Sequence, residues 1–195
     1  MLGKLNFGVC GIAALATLSI ACLTPLRAQS IEQKTQVCAG CHGAAGKPTE
    51  KTIPVIWGQQ AGYLYIQLRD FKRGDRKSNI MQPIASAMER DEMQAIAEYL
   101  GQKPWPDLGQ PRASKDVADR ASSANRSIGC TGCHLEQFQG DGTIPRLAGQ
   151  SREYLTKTIA DFRSRARGNN PGMSDLMLAT APDDLAALEE YLSGL

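Results

Sequence analysis

Cys38-Ala39-Gly40-Cys41-His42 and its second copy, Cys130-Thr131-Gly132-Cys133-His134, decide how this chain is read. In each copy two thiols three residues apart can add across the two vinyl groups of a haem. The histidine after them is then held where its imidazole can ligate the iron from one face. Two copies in one chain, each followed at the same distance by a methionine, point to two covalently attached haem c groups. The rest of the sequence reads as scaffolding for them.

Four cysteines and two histidines could instead bind zinc, but Cys41 and Cys130 stand 89 positions apart, far from the spacing of a compact zinc ribbon. A thioredoxin-like dithiol needs a strand before it and a βαβ pattern around it, and no strand-like run is present.

Residues 1–28 stand apart from the rest of the chain. Lys4 lies in a short basic start, an apolar run extends from about Phe7 to Leu23, and Leu26-Arg27-Ala28 forms a cleavage site before Gln29. This is the pattern of a secretory signal peptide and implies export to the periplasm. The same run is just long enough to serve as a retained anchor holding the protein on the membrane, facing the periplasm. Cys10 and Cys22 fall inside this leader. Ser19 stands three residues before Cys22, where a lipoprotein processing site usually has leucine. The exported chain therefore keeps only the four haem-motif cysteines, with none over for a structural disulfide. The leader takes Lys4 and Arg27 with it, which leaves 20 basic against 20 acidic residues from totals of 22 and 20. Nucleic acid as a partner has no support in that balance.

The exported chain is an internal repeat. His42 to Met81 is 39 residues, as is His134 to Met173; Met81 to Tyr99 is 18, as is Met173 to Tyr191. Between these landmarks Ile53-Pro54-Val55-Ile56-Trp57-Gly58-Gln59 matches Ile144-Pro145-Arg146-Leu147-Ala148-Gly149-Gln150. Tyr63-Leu64 and Asp70-Phe71 match Tyr154-Leu155 and Asp161-Phe162. These inner blocks sit at an offset of 91 instead of 92, so two single-residue shifts compensate each other. The Pro- and Gly-rich stretch from Gly101 to Pro111 stops any helix and marks a linker. The expected organisation is a signal peptide at 1–28, one domain at 29–100, a linker at 101–113 and a second domain at 114–195. Trp105 either leaves this linker loose or packs in the interface and fixes it.

Helices are expected throughout. Ser30 with Gln33 forms a capping box before the first motif, and Val117, Ala121, Ala124 and Ile128 form the matching stripe before the second. A middle helix comes after each Gly-Gln turn, with Leu64, Leu68 and Phe71 on one face and Leu155, Ile159 and Phe162 on its twin. The closing helices carry Met93, Ile96, Ala97 and Leu100, ended by Gly101, and then Leu185, Leu188 and Leu192 behind Pro182 at the first helical position. The segments holding Met81 and Met173 are polar, without periodicity, and are expected to be loops. Units of about 80 residues have small cores, so a large flat apolar group at the centre would supply much of the missing burial.

The second axial ligand separates a carrier from a catalyst. His42 and His134 are the only histidines, so bis-histidine ligation of both irons cannot be built from this polypeptide. Thioether sulfur is a soft neutral donor that favours ferrous iron and raises the reduction potential. Met81 and Met173 occupy equivalent positions of the repeat and are the candidates. Met93 lies on an apolar stripe and reads as core, while Met88 and Met177 have no methionine partner in the repeat.

In its order of motif, Pro-x-x-x-Gly-Gln block, Tyr-Leu helix, basic Asp-Phe segment, methionine and Tyr-Leu closing helix, repeated twice, the chain resembles dihaem cytochrome c4 and, more broadly, class I cytochromes c. The resemblance covers essentially the whole exported chain. It implies an all-α fold of two tandem class I cytochrome c domains, each a small helical bundle around one covalent haem. It also implies that Cys38, Cys41, His42 and Met81 serve the first haem and Cys130, Cys133, His134 and Met173 the second. The family's proline, whose carbonyl orients the histidine, would be Pro54 and Pro145. Two features depart from the family pattern: bulky Trp57 before Gly58-Gln59, and a histidine-to-proline spacing one residue shorter in the second copy, which makes the match at Pro145 weaker than at Pro54.

The function implied is periplasmic transfer of single electrons between a quinol-oxidising complex or dehydrogenase and a terminal oxidase or reductase. Its partners would be redox proteins, with peripheral association at membrane complexes and no nucleic acid. A permanently docked haem subunit of a larger dehydrogenase is the second reading. A dihaem peroxidase is the third, and it would need an open or displaceable iron site with an acid–base group beside it. The basic residues from Arg69 to Lys77, with Lys157, Arg163, Arg165 and Arg167, form either a docking surface for an acidic partner or a solvated face that offsets the haem propionates.

Overall fold

The capping residues set where the helices begin. In the computed structural model, which describes residues 29–195, the Ser30 hydroxyl accepts from the Gln33 N–H while the Gln33 side chain accepts from the Ser30 N–H. That reciprocal box opens α1, Ile31–His42. The signal-peptide reading of residues 1–28, with Cys10 and Cys22, lies outside the described residues. The first half continues with α2 (Ala61–Arg73), α3 (Met81–Ser86) and α4 (Arg90–Gly101). The second consists of α5 (Lys115–Ile128), α6 (Thr131–His134), α7 (Arg152–Arg163), α8 (Pro171–Ala179) and α9 (Pro182–Ser193). Among the described residues the only β pairing is an isolated bridge between Asp141 and Ile144, so the fold is all-α. No described helix is long and apolar enough to cross a membrane.

The apolar stripes pack as their spacing dictates. In the first half α2 lies on α4, where Leu64 meets Met93, Ile96, Ala97 and Leu100, with Met88 closing the end of the cluster. In the second, α5 and α7 pack on α9, bringing Ala121, Ala124 and Leu155 against Leu188 and Leu192. Phe138 meets Tyr191 edge-on at 6.4 Å. A separate cluster joins Phe162, Met177 and Leu185 where α8 sits on α7. Each buried leucine or methionine in these clusters is worth about 1.5–3 kcal/mol relative to exposure.

The structure corrects one expectation. Met81 and Met173 lie in helices, not loops: Met81 is the first residue of α3 and Met173 the third residue of α8. The signal for α8 was present in the sequence, since Asn170 caps the Met173 N–H and Pro171 takes the first helical position. A helix this short shows too few turns for periodicity to register.

The stretch expected as a linker is held in place, and its first residue, Gly101, belongs to α4. Trp105 packs beside Gly58 of the first half and Gly149 of the second, and the Arg146 guanidinium stacks over its ring at 4.7 Å. A Cβ on Gly149 would come within 2.9 Å of the indole nitrogen, so this residue must stay small. Gln110 pins the far end of the linker by donating to the carbonyls of Gln150 and Ser193 and accepting from the Arg152 N–H. Trp57, bulky where the family pattern is not, is accommodated because Gly46 leaves room for its ring.

Candidate haem sites

His42 is the last residue of α1, and the turn after it needs glycine. Gly43 has φ +86°, and a Cβ there would fall 1.8 Å from the Lys47 carbonyl oxygen. The chain folds back through this turn so that the Pro54 carbonyl accepts from His42 Nδ1 at 2.8 Å. In the second half the Pro145 carbonyl accepts from His134 Nδ1 at 2.9 Å, although the spacing is one residue shorter. Leu135 and Phe138 here hold the two positive-φ positions that Gly43 and Gly46 hold in the first half, and Gly140, also at positive φ, is pressed against Ile144 and Pro145.

Both rings are buried, His42 to 7% exposure and His134 to 6%. A carbonyl oxygen can only accept, so the ring proton sits on Nδ1 and the lone pair belongs to Nε2. Burial lowers the pKa of both imidazoles, opposed by the hydrogen bond to the proline carbonyl. The ring is thereby kept neutral, the form that ligates a metal, and the carbonyl partner fixes its orientation and raises its basicity.

The four thiols flank these histidines unpaired: Cys38 and Cys130 are half-buried, Cys41 and Cys133 exposed. Cys38 and Cys41 lie one turn apart on α1, so both thiols project from one helix face. Cys130 is the N-cap of α6 and Cys133 lies within it. Burial pushes the Cys38 and Cys130 thiols up, opposed by backbone hydrogen bonding. The raised Cys38 and Cys130 thiols are unlike the exposed low-pKa thiolates of redox catalysts.

Met81 and Met173 are both half-buried, and equivalent residues present them. The Met81 N–H donates to Ser78 Oγ at 3.1 Å and the Met173 N–H to Asn170 Oδ1 at 3.2 Å. Met93 is 4% exposed in the first core cluster, and Met88 and Met177 are buried packing residues at 7% and 5%. The fit to a haem rests on the donor chemistry: neutral nitrogens with a free lone pair, two thiols beside each, and a half-buried thioether in each repeat.

Reading residue types and spacings missed a polar network between the halves. Arg76 donates to the Tyr154 hydroxyl and to Gln67 Oε1, while Arg167 donates to the Tyr63 hydroxyl and to the same Gln67 oxygen. Each guanidinium also stacks on a ring of its own half, Arg76 on Phe71 and Arg167 on Phe162. Burial pushes the Tyr154 phenol up, but the charges of Arg76 and Arg167 outweigh it and bring the phenol down to about 7. Asp70 is the carboxylate bonded within this network, and it already accepts from Arg69 and Asn169. The signal was in the sequence: Tyr63 with Tyr154 and Arg76 with Arg167 recur at the offset of 91.

Residues 32–103 match the cytochrome c family. The thiosulfate dehydrogenase electron acceptor of Stutzerimonas stutzeri (strain A1501) is 37% identical over 81% of this chain and 78% of its own length. Cytochrome c4 of Azotobacter vinelandii is 30% identical over 83% of this chain and 86% of its own. The crystal structure of reduced recombinant cytochrome c4 from Pseudomonas stutzeri superposes with a TM-score of 0.75 at 27% identity, covering 85% of this chain and 96% of that one.

Proposed function

The chain belongs to the cytochrome c4 family and is a dihaem electron-transfer cytochrome carrying haem c groups, and from that premise we propose that it works in the periplasm as a one-electron carrier without substrate turnover of its own. In this reading Cys38 and Cys41 hold the first haem and Cys130 and Cys133 the second. His42 and Met81 ligate one iron, His134 and Met173 the other. The domains are 29–100 and 114–195, joined by 101–113.

The observation that carries the reading is the matched pair of buried imidazoles, each with Nδ1 tied to a proline carbonyl beside a Cys-x-x-Cys pair. Haem iron supplies the one-electron couple. The chain's own residues fix the imidazole, keep it neutral and shelter it from water. The surplus of guanidinium over carboxylate between the halves also fits, because the haem propionates would offset it. The electron donor is a periplasmic dehydrogenase, a role favoured by the relative named as the electron acceptor of thiosulfate dehydrogenase. The acceptor is a terminal oxidase or reductase.

Mixing the oxidised protein with a purified thiosulfate dehydrogenase and thiosulfate tests this proposal. Reduction of both haems that requires enzyme and substrate together supports a carrier. A high-spin resting spectrum with rapid peroxide consumption would replace it by the peroxidase reading.

A further inference from the structure

Gln59 and Gln150 are equivalent in the repeat, and each is buried to 3% exposure. Each side-chain amide crosses to the other half and grips both backbone groups of one residue. Gln150 Oε1 accepts from the Val55 N–H at 2.8 Å, and its Nε2 donates to the Val55 carbonyl at 3.0 Å. Gln59 Oε1 accepts from the Arg146 N–H at 2.7 Å, and its Nε2 donates to the Arg146 carbonyl at 3.0 Å. Val55 and Arg146 are themselves equivalent, so the two grips are related by an approximate two-fold exchange of the halves.

The residue gripped decides what the grip does. The Val55 N–H and the Pro54 carbonyl belong to one planar peptide group, as do the Arg146 N–H and the Pro145 carbonyl. One end of each plane accepts from an imidazole, and the other end donates to a glutamine from the opposite half. A rigid amide held at both ends cannot turn away from the histidine. An amide whose N–H is bonded also presents a more polarised carbonyl to the imidazole. Each glutamine is in turn tied locally, because its Oε1 accepts from the next residue's N–H at 2.9 Å, from Gln60 and from Ser151. Neighbouring contacts brace the same loops. Ser151 Oγ donates to the Lys51 carbonyl, and Gln60 Nε2 donates to the carbonyls of Gln139 and Gly140.

We propose that Gln150 and Gln59 are crossed positioning residues: Gln150, in the second half, sets the histidine of the first haem, and Gln59, in the first half, sets the histidine of the second. This rests on the reading of His42 and His134 as iron ligands. It makes the potential of each haem a property of both halves. Loss of a grip weakens the carbonyl acceptor, leaves the imidazole a poorer donor to the iron, and favours the ferrous state.

The test uses the full-length dihaem protein with Gln150→Ala and, separately, Gln59→Ala. It reads the potential of each haem and the paramagnetic shifts of its methyl protons, which report imidazole orientation. The haems are assigned by which signals change in Met81→Ala and in Met173→Ala. The expected pattern is crossed: Gln150→Ala raises the potential and moves the methyl shifts of the first haem while the second stays near wild type, and Gln59→Ala does the reverse. Gln150→Met and Gln59→Met, which keep the side-chain volume and delete both bonds, should give the same crossing. Shifts confined to the substituted half, equal shifts in both haems, or no shift would each overturn the proposal. So would loss of a haem from both variants at one site, which would mark the glutamine as a determinant of folding. The wild-type spectrum judges the ligand reading separately, since absence of histidine–methionine low-spin signatures sinks that reading whatever the glutamine variants do.

Discussion

The two haem-motif segments reach one geometry along different backbones. In the first half α1 runs unbroken for 12 residues through Cys38 and Cys41 to His42. In the second, α5 stops at Ile128, Gly129 turns left-handed at φ +81°, and Cys130 to His134 form a separate short turn. The loops beyond differ as well: the second is one residue shorter, and it places Leu135 and Phe138 at the two positive-φ positions that the first fills with Gly43 and Gly46. Yet the two Nδ1-to-carbonyl distances are 2.8 and 2.9 Å, and the histidines are buried alike. What the repeat preserves is the imidazole and its acceptor, while the path of the chain toward them is free to vary. In the proposed attachment, cross-linking at two thiols would tolerate either scaffold, because the covalent bonds would fix the motif once the haem is attached.

The largest test of that equivalence removes the cross-links one half at a time. Cys38→Ala combined with Cys41→Ala should leave a protein whose intact mass is lower by one haem and whose second half keeps its absorption band. Cys130→Ala with Cys133→Ala should do the converse. Because each half has a small core, the half that loses its haem should also lose most of its helical circular dichroism. Acid–acetone extraction that strips all the haem from the wild-type protein would refute covalent attachment in both halves.

Next in size is the proposed thioether ligand. Met81→Ala should abolish the sulfur-to-iron charge-transfer band of one haem only, lower its potential, and open its iron to cyanide or carbon monoxide. Met173→Ala should do this to the other haem. The two substitutions should match in kind although α3 and α8 differ in length, because Ser78 and Asn170 cap the methionine N–H groups in the same way. Retention of the full sulfur band in both variants would remove these residues as ligands.

The legibility of each feature depends on how local its cause is. The motifs, the Ser30 capping box, Pro182 at the start of α9 and the stripes of α2, α4, α5 and α9 are set by neighbouring residues, and all were readable. The short methionine helices showed no stripe, since six or nine residues carry too few turns for a pattern, and only α8 carried a start signal, in Asn170 and Pro171. The grips of Gln59 and Gln150 were hidden for a different reason. Hydrogen bonds between residues 87 and 95 positions apart depend on how the halves meet, and a buried glutamine looks in sequence like a surface one. Their recurrence in the repeat was visible, but what they hold was not.

Core packing gives a smaller effect and a sharper contrast with the ligands. Met93 and Leu185 are equivalent in the repeat and equally buried at 4%, but Met93 joins the main cluster of its half while Leu185 sits in the separate one with Phe162 and Met177. Met93→Ala and Leu185→Ala should each cost on the order of 2–5 kcal/mol in denaturant unfolding. Both haem spectra should stay nearly unchanged. A lost charge-transfer band in Met93→Ala would move Met93 from core to ligand.

The smallest effect addresses the comparison at its origin. Gly129, where the second motif helix breaks, corresponds in the repeat to Val37, which lies inside α1. A Cβ on Gly129 would meet nothing within 4 Å, so the cost of Gly129→Ala comes only from forcing an L-residue into a left-handed backbone, about 1–2 kcal/mol. Val37 is 58% exposed, so Val37→Gly gives up little burial and costs roughly 0.5–1 kcal/mol of helix stability through chain entropy. Both variants should keep two haems and unchanged potentials, because neither side chain touches an imidazole or its carbonyl. The informative outcome is the reverse of the strain cost. If Gly129→Ala stabilises the second half, the break is not imposed by the fold around the haem, and α5 can run through its motif as α1 does. If it destabilises as expected, the break belongs to the shorter histidine-to-proline path, and the two halves need their different backbones to bring one geometry to each iron.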